Sequence, residues 1–325
     1  MRSRPATVWA CLRRDTITHQ VVPLAVVRVV LVGLAAVCPV AVAACGGGGG
    51  AATLPAHAPI THASISVGNQ TRTYRLYVPP NLPANRSVPL VVVLHAALDT
   101  VDQTAAITGF DEVGTAHGAI VVYPQGVGRT WNAGICCGFA LHTNVDDLGF
   151  IATLLDKLEH TYRVDHDRVY AVGVSNGAIL AYSLACSMAG RFVAIASVAG
   201  TMAVGACHPA KPVSVLEIHG THDQLVPYEG GPLYPEPKEK VPSAPAVATA
   251  WATLDYCSGT PEQTVQGPVT TQLWSPCAQT TAVRLVTIQG GTHVWYAPGL
   301  GAADGAVDAT QLTASFLFQH ARSGG

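Results

Sequence analysis

Ser175 stands in the pentapeptide Gly173-Val174-Ser175-Asn176-Gly177, which fits G-x-S-x-G. In that pattern a sharp strand-to-helix turn lifts a serine Oγ clear of a sheet, and the glycines leave room for the backbone to close beneath it. A serine hydroxyl is a weak nucleophile until a base takes its proton, and the base must be held in the right tautomer by a third group. Two later strand ends supply such groups. The apolar run from Val213 leads through His219-Gly220-Thr221-His222 to Asp223, and the run Val283 to Ile288 leads through Gln289-Gly290-Gly291-Thr292 to His293. The order Ser, Asp, His at successive strand ends predicts Ser175 as nucleophile, Asp223 as orienting carboxylate and His293 as general base. His219 and His222 are alternative bases, and with Asp223 they form an alternative set of metal ligands. The main reading needs neither metal nor cofactor. The oxyanion donors it predicts are the backbone N–H groups of Asn176 and of Ala97, in the loop His95-Ala96-Ala97-Leu98-Asp99.

These residues need a scaffold that brings strand ends together. Pro89 to Leu94, Ala119 to Tyr123, Arg168 to Val172, Ala194 to Val198, Val213 to His219 and Val283 to Ile288 are apolar runs of buried-strand type, and Thr71 to Val78 alternates as an early strand. Helical spacing is expected over 102–117, 146–162, 176–189, 246–256 and 307–320, and the Pro-rich stretch 230–246 reads as a surface excursion. Strands alternating with helices predict an α/β fold with a doubly wound, mostly parallel sheet and helices on both faces, in one domain over residues 60–322.

Of the 325 residues 49% are hydrophobic and only 12% charged, with a formal net charge of −2. That balance argues against a disordered chain and against a nucleic-acid partner. After Arg28 the run VVLVGLAAVCPVAVAA ends at Val42-Ala43-Ala44-Cys45, so residues 1–45 read as a signal peptide with a lipobox-like end and Cys45 as a lipidation site. Gly46 to Pro59 reads as a flexible tether. The expected location is extracellular or at the cell envelope, with the membrane touched only through a lipid on Cys45. Six cysteines remain, an even set suited to an oxidising compartment. The favoured pairs are Cys186 with Cys207 and Cys257 with Cys277, which leaves Cys136 and Cys137 unassigned.

The segments PLVVVLHAA, YPQG, WNAGICCG, VDDLGFIATLLDKL, RVYAVGVSNGAILAYSLAC, EIHGTHDQLVPYEGG and GGTHVWYAPG together resemble the secreted esterases related to polyhydroxybutyrate depolymerases and feruloyl esterases. The resemblance covers residues 60 to 320 and implies an α/β-hydrolase fold that cleaves carboxylic esters without a cofactor, with Ser175, Asp223 and His293 in the roles above. One departure lies in the oxyanion loop, where Ala96 and Leu98 stand at positions the family fills with more flexible residues. Trp131, Asn132 and Trp295 are candidates to line the substrate site, the alternative being that they pack beneath the loops. Hydroxyalkanoate oligomers, feruloyl esters and acetyl esters all remain open as substrates. A serine peptidase, or a non-catalytic surface lipoprotein on a hydrolase scaffold, are the alternative functions.

Overall fold

A computed structural model of the chain describes residues 59–322 except 84, 235 and 237. The expected leader, the lipidation site Cys45 and residues 46–58 of the tether lie outside the described residues. The elements are β1 (Ile60–Val67), β2 (Gln70–Tyr77), β3 (Val88–Leu94), α1 (Val101–Thr108), α2 (Phe110–His117), β4 (Ile120–Pro124), α3 (Gly138–His142), α4 (Asp147–Thr161), β5 (Val164–Val174) and α5 (Asn176–Ser187). They continue with β6 (Ala194–Val198), β7 (Ser214–Gly220), the short pair β8 (Gly231–Pro232) and β9 (Lys240–Val241), α6 (Ala244–Leu254), β10 (Glu262–Gln266), β11 (Val269–Trp274), β12 (Val283–Ile288) and α7 (Ala309–Phe318).

Ten strands form one sheet in the order β1-β2-β4-β3-β5-β6-β7-β12-β11-β10. The six from β4 to β12 in that order are parallel, and the two at each edge are antiparallel. The parallel strands are mostly apolar because both of their faces are covered. Every residue of β3, β4, β6 and β7 is buried. One face is packed by α4, α5 and α6 through Phe150, Leu154, Ile179, Leu184 and Trp251. The other is packed by α1, α2 and α7 through Ala105, Phe110, Val113, Phe316 and Leu317.

Three strands of the ten-stranded sheet, β1, β10 and β11, and the short pair β8 and β9 lie outside the expected runs. β1 and β10 are mostly exposed, and β11 is only half-buried until Trp274. The helix expected over 102–117 is two helices, broken at Gly109, whose φ of 63° ends α1 with an N–H bond to the Ala105 carbonyl.

The disulfides Cys186–Cys207 and Cys257–Cys277 are formed, each closing a loop of about twenty residues, and Cys136 is paired with Cys137. Loops of that length correspond to roughly 3 kcal/mol each in the chain-entropy account.

One buried carboxylate makes the fold pH-sensitive. Asp255, at the end of α6, is fully buried; its Oδ1 accepts the Val213 N–H (3.1 Å), and its Oδ2 has no hydrogen-bond partner. Burial raises its pKa to about 7 against that opposing hydrogen bond. A carboxyl raised on folding stabilises fully below its unfolded pKa, near 4, and loses that contribution as the pH climbs through its folded value. The contribution of Asp255 to stability is therefore expected to fall between about pH 4 and pH 7. Asp255→Asn keeps an oxygen for Val213 and removes the titration. Thermal unfolding at pH 5 and pH 8 should show a smaller difference in the variant than in the wild type.

Candidate active site

The parallel strands β3, β5, β7 and β12 all end on one edge of the sheet, and the loops that leave them meet there. β5 ends in the turn that carries Ser175, whose backbone is held at φ 56° and ψ −121°. Such a conformation is sparsely populated for a residue with a side chain and is kept only when its surroundings over-determine it. Those surroundings are specific. A Cβ on Gly177 would collide with the carbonyls of Leu94 and His95 at the end of β3. The Ser175 N–H bonds the Val198 carbonyl (2.9 Å), which fixes the turn to β6.

His293 Nε2 lies 2.8 Å from Ser175 Oγ, and His293 Nδ1 lies 2.7 Å from Asp223 Oδ2. Asp223 is buried, and its Oδ1 accepts the N–H groups of Leu225 and Val226, both at 2.9 Å. Burial pushes the Asp223 carboxyl up, but hydrogen bonds from His219 and His293 outweigh this and hold it well below the usual carboxylate range. It is therefore ionised at every ordinary pH and oriented to keep the His293 proton on Nδ1. The loops bearing Asp223 and His293 touch directly. A Cβ on Gly220 would meet the Gly291 carbonyl, and that carbonyl accepts the His222 N–H (2.9 Å). The His293 loop is tied down by Asp304, which accepts the Thr292 N–H and Oγ–H, both at 2.7 Å.

Both alternative bases lie away from Ser175 in bonding terms. His219 is fully buried between Glu217 Oε1 (3.1 Å) and the Val226 carbonyl (2.9 Å), and His222 is exposed. With both His219 nitrogens engaged, the alternative metal set loses that ligand.

The oxyanion loop is built by a histidine the sequence reading did not single out. His95 is fully buried and burial lowers its pKa to about 4, so it is neutral. Its Nδ1–H donates to the Ala96 carbonyl (2.7 Å), and its Nε2 accepts the Gly126 N–H (2.9 Å). The Leu98 N–H bonds the Arg129 carbonyl (2.7 Å) and the Asp99 N–H bonds the Ala96 carbonyl (3.1 Å). Leu98 takes a positive φ of 70°, and Ala96 does not. The N–H of Ala97 has no acceptor among the described residues.

Trp131 and Trp295, expected at the substrate, are buried in packing, and Asn132, expected there too, is bonded to the neighbouring loop. Trp131 has 0% exposure: its Nε1–H donates to the His95 carbonyl (3.0 Å), and its backbone is bracketed by the Asn176 side chain. It is the floor under the oxyanion loop. Trp295 is 5% exposed, packs edge-on against Phe110 and donates to Thr310 Oγ (3.1 Å). Asn132 spends its backbone N–H on Asp147 Oδ2 (2.7 Å) and its amide on the Val145 carbonyl (3.0 Å). It lines a cavity of about 390 Å³ with Asn144, Asp146 and Ser183, a cavity that includes none of Ser175, Asp223 or His293. In all three cases the position near a motif was legible, and the direction of the side chain was not.

Gly177→Ala should drive a methyl group into the β3 end and the oxyanion loop together, a clash costing about 1–3 kcal/mol. Its melting temperature and its ester hydrolysis should both fall, whereas the exposed Gly190→Ala, with open space at its Cβ, should change neither.

Residues 72–226 match the family described as Esterase PHB depolymerase. NocK of Nocardia uniformis subsp. tsuyamanensis, which carries an esterase name, is 29% identical over 81% of this chain and 83% of its own. Feruloyl esterase B of Piromyces equi is 28% identical over 66% of this chain, and the match spans 41% of that enzyme. Among solved structures, a thermostable esterase superposes with a TM-score of 0.56 at 18% identity over 81% of this chain and 64% of its own. The acetyl xylan esterase of Aspergillus awamori gives 0.55 at 16% identity over 72% and 94%. The fold is thus that of the α/β-hydrolases, and the chain is similar over residues 72–226 to the Esterase PHB depolymerase family and to proteins named as esterases and feruloyl esterases.

Proposed function

We propose that the protein is an exported serine esterase that hydrolyses carboxylic esters through an acyl-enzyme. The observation that carries this reading is the pair of contacts on His293: Nε2 at 2.8 Å from Ser175 Oγ and Nδ1 at 2.7 Å from Asp223. Ser175 Oγ attacks the ester carbonyl as His293 Nε2 takes its proton. The imidazolium that forms is stabilised by Asp223, and the oxyanion is held by the N–H groups of Asn176 and Ala97. His293 then gives its proton to the leaving alkoxide, which departs as the alcohol and leaves the acyl group on Ser175. Water attacks that ester with the same histidine as base, and Ser175 is regenerated as the carboxylic acid leaves.

Apolar side chains at the loop tips supply the contact that Trp131 and Trp295 do not. Leu98, beside Ala97, is 63% exposed, and Leu225, two residues from Asp223, is 40% exposed. They suit the apolar part of a soluble or oligomeric ester, with hydroxyalkanoate oligomers, feruloyl esters and acetyl esters as the candidate substrates.

In hydrolysis of p-nitrophenyl acetate and butyrate by the purified protein, Ser175→Ala should lose about 10³-fold or more of kcat while melting as the wild type does. A fluorophosphonate should add to Ser175, as read by peptide mass spectrometry. Turnover retained by the variant would assign the nucleophile elsewhere, and a folded wild type that neither turns over nor labels would make the protein a binding module.

Export is supported by the three disulfides, and lipid anchoring by the sequence Val42-Ala43-Ala44-Cys45. Cells fed labelled palmitate should incorporate it into the wild-type protein and not into Cys45→Ala; equal labelling of the two would remove the anchor.

A further inference from the structure

The strand that delivers Asp223 carries two ionisable side chains for which the hydrolytic cycle has no use. Glu217 and His219 are two apart on β7, so they point to one face of the sheet, and both are fully buried. On that face Tyr182 of α5 donates its phenolic O–H to Glu217 Oε2 (2.5 Å), and His219 Nδ1 faces Glu217 Oε1 (3.1 Å). His219 Nε2 faces the Val226 carbonyl (2.9 Å) and Asp223 Oδ2 (3.2 Å). Each ring nitrogen thus has oxygen acceptors before it, so both donate and the ring is an imidazolium. Burial opposes this charge, but the hydrogen bonds with Asp223 and Glu217 outweigh it and raise the His219 pKa to about 9.

Asp223 Oδ2 is therefore shared by two histidines, His293 from the loop after β12 and His219 from β7, while Oδ1 is filled by two backbone N–H groups. The phenols of Tyr296 and Tyr228 are the other titratable groups on this cluster. Tyr296 lies close enough to Asp223 to feel its charge, and the Tyr228 ring meets His219 edge-on at 5.7 Å. A lone imidazolium at this place would repel the positive charge that forms on His293 when it takes the serine proton. Glu217 cancels that charge and leaves the hydrogen bond in place. The set of Glu217, His219 and Asp223 then presents one net negative charge to His293.

We propose that Glu217 and His219 form a buried, charge-neutral pair that positions Asp223 for His293, with Tyr182 fixing Glu217. The inference rests on the serine-esterase reading above. Both are positioning residues, and neither touches the substrate. Their signature is electrostatic and has a sign. His219→Gln removes a cation beside Asp223, so His293 keeps its proton to higher pH and the acid limb of kcat/KM moves up. Glu217→Gln leaves the cation unbalanced, so the limb moves down. Each displacement should be about one pH unit, and the double variant should return the limb toward its wild-type place.

The experiment is p-nitrophenyl acetate hydrolysis between pH 4 and pH 9 by the wild type, Ser175→Ala, both single variants, the double variant and Tyr182→Phe, each checked for folding by thermal melting. In the singles kcat should fall about tenfold with KM within about twofold. Tyr182→Phe, the mildest change, should shift the limb in the same direction as Glu217→Gln. Histidine-selective ¹⁵N NMR of the wild type at pH 7 should show one ring protonated on both nitrogens and absent from His219→Gln. Limbs and kcat unchanged in folded variants would overturn the proposal, as would a neutral His219 ring at pH 7. A Ser175→Ala variant that keeps its turnover would instead overturn the esterase reading, and the NMR result would stand apart from it.

Discussion

Holding Ser175 at φ 56° and ψ −121° costs of order 1–3 kcal/mol, and the structure depends on packing that makes any relaxed turn worse. The glycine that follows lets α5 begin directly beneath the end of β3. Asn176, the residue between, uses its whole side-chain amide to grip the Trp131 backbone, accepting its N–H at 2.7 Å and donating to its carbonyl at 3.1 Å. Trp131 in turn supports the His95 carbonyl. The strained turn, the floor and the oxyanion loop are consequently one mechanical unit, and none can shift without breaking buried hydrogen bonds of the others.

The parallel centre of the fold was legible because strands covered on both faces are dominated by apolar residues, which is why β3, β6 and β12 stand out in the sequence within a residue of their observed limits. The edges were not. β10 reads Glu262-Gln263-Thr264-Val265-Gln266 and is exposed throughout, so neither an apolar run nor alternation marks it, and only its ladder with β11 makes it a strand. The order of Ser175, Asp223 and His293 was enough to find three side chains that the structure brings into hydrogen-bond contact. The side chains that hold them were harder to see. Asp304 lies in a loop of small residues with nothing to mark its grip on Thr292, whereas Glu217, a lone charge inside Ser214-Val215-Leu216-Glu217-Ile218, was a visible signal that a central strand contains something other than packing.

Buried charge is handled in three different ways across the molecule. Asp147 is raised by burial but is held against Arg72 at 2.6 Å, and that guanidinium also lies 4.0 Å over the Phe150 ring. The same carboxylate accepts the Asn132 N–H, so the ion pair anchors the loop that carries Trp131. Asp223 is surrounded by donors and stays ionised. Asp255 has a backbone donor on Oδ1 and no partner on Oδ2, and burial there shifts it toward neutral. The difference follows donor count: a carboxylate in the interior keeps its charge when both oxygens are met, and takes a proton when one is left bare.

The oxyanion loop shows how the same principle accommodates an unusual sequence. Ala96 and Leu98 lack the freedom of glycine, yet only Leu98 is forced to positive φ, at a penalty of about 1–2 kcal/mol. That penalty is opposed by the Leu98 N–H bond to Arg129 and by a neutral His95 whose two nitrogens fasten the loop to Ala96 on one side and Gly126 on the other. Were His95 protonated, its Nε2 would have to donate toward the Gly126 N–H that it now accepts, and the fastening would fail. Burial prevents this above about pH 4 by lowering its pKa to about 4, so the geometry of the Ala97 N–H is protected through the neutral range, where Asp223 is also charged. The segment that follows β4, and not glycine within the loop itself, sets where an oxyanion donor can sit.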